Sequence, residues 1–180
     1  MLTGLGFWKG CSIMKLFEQE GKLEIGLNFW GSKHGIYMWR NWDKESICAD
    51  LKQLADAGFT LLRVFPDWEY FQPISAIRGY ANQPKGLTGD GGATFLPDRD
   101  ETSGLNETAF ATFAEFLDLA AERQIRIIPS ILTGWMSGRM FTPPLLSNAN
   151  LITDPAAIKQ EVRFVRAFVR RFRHHATIAA

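Results

Sequence analysis

Cysteine is scarce in this chain: Cys11 and Cys48 are the only two among 180 residues. They form no CxxC pair and no cluster interleaved with the three histidines, so the sequence predicts no metal site. One disulfide between them fits the count, but nothing in the spacing favours it over two thiols in a reducing compartment. An excess of either charge is also missing. Twenty Lys and Arg against nineteen Asp and Glu leave a net charge of +1, which argues against nucleic acid and against an anionic membrane surface as partners. No apolar run approaches the roughly 18 residues of a membrane span. Neither G-x-G-x-x-G nor GxxxxGK[ST] follows the first predicted strand, so no nucleotide cofactor is expected, and no other cofactor is implied. Nor is a secretion leader expected at the start of this sequence. Residues 1–23 are broken by Gly4, Gly6 and Gly10, and Glu18 and Glu20 follow Lys15, which slightly favours a cytoplasmic location. Met14 opens a second plausible start, and residues 1–23 read as an extension ahead of the domain at 24–180.

Aromatic residues are abundant, with 14 Phe and 6 Trp. From Leu23 onward, short apolar runs alternate with helical patterns. Residues 24–30 read as a strand. Asp43 then caps a helix over 44–57, with Ile47, Leu51, Leu54 and Ala55 at helical spacing and Gly58 at the left-handed stop. Residues 60–65 read as an almost wholly apolar strand, of the kind a parallel sheet buries on both faces. Residues 66–105, rich in Gly and Pro, read as a long functional loop. Asn106 caps a helix over 107–123, with Phe110, Phe113, Phe116, Leu117 and Ala120 inward, and residues 125–132 read as a third strand. Asp154 and Pro155 start a third helix, on which Ile158, Val162, Val165, Val169 and Phe172 recur at intervals of four and three. Its terminal Arg170, Arg171, Arg173, His174 and His175 are better explained by the helix dipole than by nucleic acid. Residues 177–180 resemble the approach to a fourth strand.

Three β-α units in series predict a parallel sheet with right-handed crossovers. Both a doubly wound open sheet and the first three-plus units of a (β/α)₈ TIM barrel fit that order. The loops after strands are long and the turns after helices short, which favours the barrel. Five tryptophans (Trp30, Trp39, Trp42, Trp68 and Trp135) fall at or after strand ends and predict one aromatic rim. Flat rings beside Asn28, Arg63, Asp67, Glu69 and Arg139 suit sugars, which present C–H faces and a rim of hydroxyls. Arg63, within an apolar strand, must meet a carboxylate or the barrel mouth. Asp67 and Glu69 are the only closely spaced acids at a strand end. They fit a hydroxyl-binding role, an ion pair with Arg63, or an acid–base pair in an unrelated α/β enzyme. His34 reads as a substrate contact or a surface group.

Gly26-Leu-Asn-Phe-Trp30 followed by Gly35-Ile-Tyr-Met-Trp39 resembles the first strand and loop of clan A glycoside hydrolases, family 5 in particular. Leu62-Arg-Val-Phe-Pro-Asp-Trp-Glu-Tyr-Phe-Gln-Pro73 resembles that group's second strand. Thr133-Gly-Trp-Met-Ser-Gly138 and Ile152-Thr-Asp-Pro155 resemble the third loop and helix start of its cellulase- and mannanase-like members. The resemblance implies a retaining hydrolase of β-linked glycans with two catalytic Glu about 5–5.5 Å apart, at the ends of strands four and seven and therefore beyond residue 180. No catalytic residue is expected within the chain itself, which should be inactive alone. Arg63 matches the family arginine that supports the nucleophile, and Asn28, Trp30, Trp39, Trp68, Glu69 and Trp135 are the expected substrate contacts. Trp135 stands where the family usually has a histidine. A noncatalytic carbohydrate-binding barrel is the alternative of a different class.

Overall fold

The computed structural model describes residues 24–92, 94–95 and 104–179. The extension at 1–23, with Trp8, Cys11 and Met14, lies outside the described residues. In chain order these form β1 (Gly26–Asn28), α1 (Lys44–Asp56), β2 (Leu61–Val64), α2 (Trp68–Phe71), β3 (Ser75–Arg78), β4 (Pro84–Thr88), β5 (Thr94–Phe95), α3 (Glu107–Ala121), β6 (Arg126–Pro129), β7 (Trp135–Met136), β8 (Arg139–Met140) and α4 (Pro155–Phe172). Strands β1, β2 and β6 make a parallel sheet in that order, the mixed α/β arrangement expected from the alternation. Residues 177–179 start a further parallel pairing on β6: Ile178 bridges Ile127, the Ile127 amide donates to the Thr177 carbonyl at 2.7 Å, and the Ala179 amide donates to Ile127 at 2.9 Å.

Each long helix begins at an Asx cap visible in the sequence. Asp43, Asn106 and Asp154 accept from Ser46, Ala109 and the Ala156–Ala157 pair of amides, satisfying donors that have no partner within the helix. Asp154→Ala is therefore expected to cost about 1 kcal/mol, read as a lower urea midpoint; Asp154→Asn should retain most of it. At the other end of α1, Gly58 has φ +86°, which glycine adopts without strain.

The helices cover one face of the parallel sheet. Leu62, Val64 and Ile127 on that face are fully buried. They join Ile47 and Leu51 from α1, Phe110, Phe113 and Phe116 from α3, and Phe164, Phe168 and Phe172 from α4. The rings of α3 and α4 interlock, with Phe113–Phe168 and Phe113–Phe172 both at 4.9 Å.

Three expectations need correction. The segment 66–105 is not one open loop, because it carries α2 and an antiparallel sheet of β3, β4 and β5. Its strands are short, and Pro84 and Gly86 interrupt the alternation that would announce them. Residues 60–65 are not buried on both faces, since Arg63 is exposed. On α4, Ile158, Val162 and Val169 do not face the core; they are 39%, 49% and 42% exposed. Two apolar stripes run along that helix. The one bearing Ala157, Phe164, Phe168 and Phe172 turns inward, because phenyl rings bury more surface than valines and find aromatic partners on α3.

Candidate functional site

The sheet has a second face, and its side chains follow from strand register. Asn28 pairs with Arg63 and Arg63 with Ile128. Side chains on one rung of a parallel ladder point the same way, and the next on that face come two residues later. The uncovered face thus carries Asn28 and Trp30 from the first strand, Arg63 and Phe65 from the second, and Ile128 and Ser130 from the third. Five of these six, with residues 131–136, line an open cleft of about 400 Å³ at the C-terminal ends of the strands.

Inside the cleft Trp30 stacks on Phe65, ring centroids 4.8 Å apart and planes within 6°. Its indole N–H points at Met136 Sδ, 3.1 Å away. The Arg63 guanidinium lies over the other aromatic partner, 4.8 Å from the Phe65 centroid, and its Nε donates to Ser130 Oγ at 2.6 Å. Arg63 opens into the cleft at the strand ends, and among the described residues no carboxylate pairs with it. Trp135 stands on the β7–β8 hairpin with 66% of its surface exposed. Ser137 and Gly138, both with positive φ, supply the two-residue turn that matches strand twist. Leu132 also has a left-handed backbone, φ +60°, which is strained for a non-glycine residue. Its carbonyl accepts from the Gly134 amide while the Thr133 hydroxyl donates to the Ser130 carbonyl, so two local bonds hold the wall of the cleft.

Other expected contacts lie elsewhere. Trp39 and Trp68 are 2% and 1% exposed and offer no face to a ligand. Trp39 is packed among Phe71, Phe113 and Phe116 with its N–H on the Phe65 carbonyl. Trp68 stacks on Phe164 and donates to Gln72. Trp42 reaches the other way, to Glu115 on α3. The indoles do gather near the strand ends, but three of the five point into the helical layer. A strand-end tryptophan pattern does not distinguish a rim from a core plug.

Asp67 and Glu69 do not pair with Arg63. Arg40, from the turn after β1, reaches both, with contacts of 2.8 Å to Asp67 and 3.0 Å to Glu69, and stacks over Tyr70. Asp67 is buried, and its side chain also accepts the Tyr70 amide as the cap of α2. Burial is the largest influence on its carboxyl and raises it above the usual Asp value, with Arg40 opposing. Because the Asp67 backbone bridges Thr133, this residue ties together the segments that follow the first three strands. Neither acid lines the cleft. His34 sits on the turn after β1 and does not line it either. Arg139 stacks on Tyr37 and donates to its hydroxyl.

Phe65, Ser130, Thr133 and Met136 were not among the expected contacts. Phe65 and Ser130 were legible by counting two residues on from Arg63 and Ile128. None of the described residues that line the cleft is a carboxylate; they can hold a ring and bind hydroxyls. Among the described residues no group of His, Cys, Asp and Glu is placed to hold a metal, and no helix is long and apolar enough to cross a membrane. Cys48 is a free, half-buried thiol.

No protein-family model matches the chain, and no curated protein matches it. Solved structures do. An exo-β-1,4-mannosidase, Op5Man5 from Opitutaceae bacterium strain TAV5, is 28% identical over 87% of this chain and 24% of its own, with a TM-score of 0.63. A GH5_18 protein from Streptomyces cattleya in complex with GlcNAc is 23% identical over 86% of this chain and 32% of its own, TM-score 0.67. A variant of that protein was solved with Manβ1-4GlcNAc. GH5_18 from Bifidobacterium longum subsp. longum matches at 21% identity over 87% of this chain and 32% of its own, TM-score 0.67. The chain spans about a quarter to a third of the length of these structures. The resemblance to glycoside hydrolase family 5 seen in its motifs is found again in its fold.

Proposed function

We propose that this chain is the first part of a retaining β-glycosidase barrel acting on β-mannosides or closely related β-linked oligosaccharides. The observation that carries the reading is the uncovered sheet face, where Asn28, Trp30, Arg63, Phe65 and Ser130 share adjacent rungs and open into one cleft. A stacked indole with exposed surface accepts the C–H face of a pyranose, and Asn28, Ser130 and Arg63 meet its hydroxyls. Trp135 borders the cleft from the hairpin and offers a second platform. Arg63 is a positioning residue: its fixed cation favours an ionised carboxylate brought into the cleft, such as the nucleophile of a glutamate pair beyond residue 180. The 28% identity to an exo-β-1,4-mannosidase supports β-mannoside over cellulose. Trp39, Trp68 and Glu69 are not part of this proposal.

The test uses Manβ1-4GlcNAc as substrate. The polypeptide encoded past residue 180 should release mannose with its β-configuration retained in the first product, whereas residues 1–180 alone should give no turnover. In the longer protein Trp30→Ala should raise KM roughly tenfold, the equivalent of about 1.4 kcal/mol of lost stacking, with a smaller change in kcat. Hydrolysis by residues 1–180, or an unchanged KM in the Trp30 variant, would refute the assignment.

A second reading rests on the same open cleft with Trp30 and Trp135 in its wall, which would serve binding alone: a noncatalytic carbohydrate-binding barrel. That protein would bind Manβ1-4GlcNAc in titration calorimetry and leave it intact at every length of polypeptide. The geometry gives less support to an enzyme built on Asp67 and Glu69, because Arg40 already engages both.

A further inference from the structure

An indole carries one hydrogen-bond donor, its Nε1–H, and no acceptor. In Trp30 that donor is already engaged by Met136 Sδ, 3.1 Å away. One ring face is engaged as well, because Phe65 stacks on it with planes within 6°. Trp30 is 36% exposed and lines the cleft with the surface that is left. Stacked rings tolerate offset, so the contact with Phe65 leaves the indole free to slide and to turn in its own plane. A bond to the ring edge, lying in that plane, removes the freedom. Among the described residues Met136 supplies the one such bond to Trp30.

The sulfur itself is held by a small core apart from the main one. Met136 is buried there with Phe65 and Phe141, and Ile36 and Tyr37 pack against them. Met136 lies opposite Arg139 in the β7–β8 hairpin, and Arg139 stacks on Tyr37. Tyr37 in turn meets Phe141 edge-on, ring centroids 6.2 Å apart. The sulfur is thus fixed by the hairpin and by the turn that follows Trp30. A thioether is a weak acceptor, so packing sets its position and not the strength of the bond. Leucine would fill the same volume and serve that core about as well. What methionine adds there is the acceptor.

We propose that Met136 is a positioning residue of the cleft, whose sulfur fixes Trp30 as a platform that offers a pyranose one open face. With its donor spent, Trp30 meets C–H groups and not hydroxyls. Hydroxyl recognition then falls to Asn28, Ser130 and the remaining N–H groups of Arg63. The inference rests on reading the cleft as a sugar site, but its first measurement needs no sugar.

Met136→Leu and Met136→Gln in the 180-residue chain decide the matter. Leucine removes the acceptor and keeps the volume, whereas glutamine carries a carbonyl oxygen at similar reach. The readout is exchange of each indole N–H with water, followed by NMR, with Trp30 assigned through Trp30→Phe. In Met136→Leu the Trp30 N–H should exchange roughly tenfold faster, and in Met136→Gln near the native rate. The N–H groups of Trp39 and Trp68, bound to the Phe65 carbonyl and to Gln72, should not change in either variant. An unchanged Trp30 rate in Met136→Leu would overturn the proposal. So would acceleration of all three indoles together, which is the signature of a loosened fold. Titration with Manβ1-4GlcNAc is the second measure. Affinity should fall roughly fivefold in Met136→Leu, the worth of one hydrogen bond, and recover in Met136→Gln. Equal affinities of the native and leucine chains would also overturn it. A native chain that ignores the disaccharide, beside a faster Trp30 in Met136→Leu, would refute the sugar reading while upholding the hold of the sulfur on the indole.

Discussion

Replacing Phe113 with alanine should lower the stability of the fold by about 3–5 kcal/mol, the range for a large aromatic removed from a closed core. The ring is fully buried and touches five others: Trp39, Phe71, Phe116, Phe168 and Phe172, at centroid distances of 4.9–6.3 Å. Those partners come from the turn after β1, from α2, and from α3 and α4. A cavity at position 113 therefore loosens the contact between helices and also the plug beneath the strand ends. The surroundings are rigid rings with few rotamers, so collapse into the void is limited. Urea unfolding followed by tryptophan fluorescence reads the effect. Val169→Ala, on the exposed stripe of α4, should change the stability by no more than about 0.5 kcal/mol. Comparable losses from the two variants would contradict the division of α4 into an inner aromatic face and an outer aliphatic one.

The second large effect is expected at Asp67. Asp67→Asn keeps a side chain able to cap α2, since asparagine is as good an N-cap as aspartate. What it removes is the partner of Arg40. Leaving one member of a buried ion pair uncompensated costs about 3–5 kcal/mol when both are enclosed. Arg40 retains 32% of its side-chain exposure and a contact with Glu69, so roughly 2 kcal/mol is the expected loss. The double variant Arg40→Met, Asp67→Asn should recover most of it, because no unpaired charge remains. A double-mutant cycle on urea midpoints measures that recovery. Additive losses would mean that Asp67 and Arg40 do not act as a pair joining the turn after β1 to the second and third loops.

The regular part of this fold was readable because it repeats local rules. Asp43, Asn106 and Asp154 cap helices by contacts within three residues, and the phenylalanines of α3 recur at helical spacing. The β3–β5 sheet was not readable, because its pairing joins segments whose individual patterns are weak. The inward face of α4 was misread for a different reason. Two stripes of similar hydrophobicity compete there, and the choice is made by rings on α3 that no window along α4 contains. Asn28, Trp30, Arg63 and Trp135, read from the sequence as strand-end residues, do line the cleft. Trp39 and Trp68 have the same chemistry and similar positions, and only packing against Phe71, Phe113 and Phe164 removes them from the surface. The partner of Asp67 was missed because Arg40 lies 27 residues away in a turn with no periodic pattern.

The floor of the cleft is the hydrogen-bonded ladder itself, so its polar and aromatic groups are ruled at the strand interval of about 4.8 Å. Such a ruler does not flex with ligand. It also couples recognition to the chain's reading frame: deleting one residue ahead of Arg63 would swing Leu62 outward and drive the guanidinium into the helical layer. Change in that strand is thus confined to substitution, while new lengths are open to the hairpin at Ser137–Gly138, whose tip stands clear of the floor.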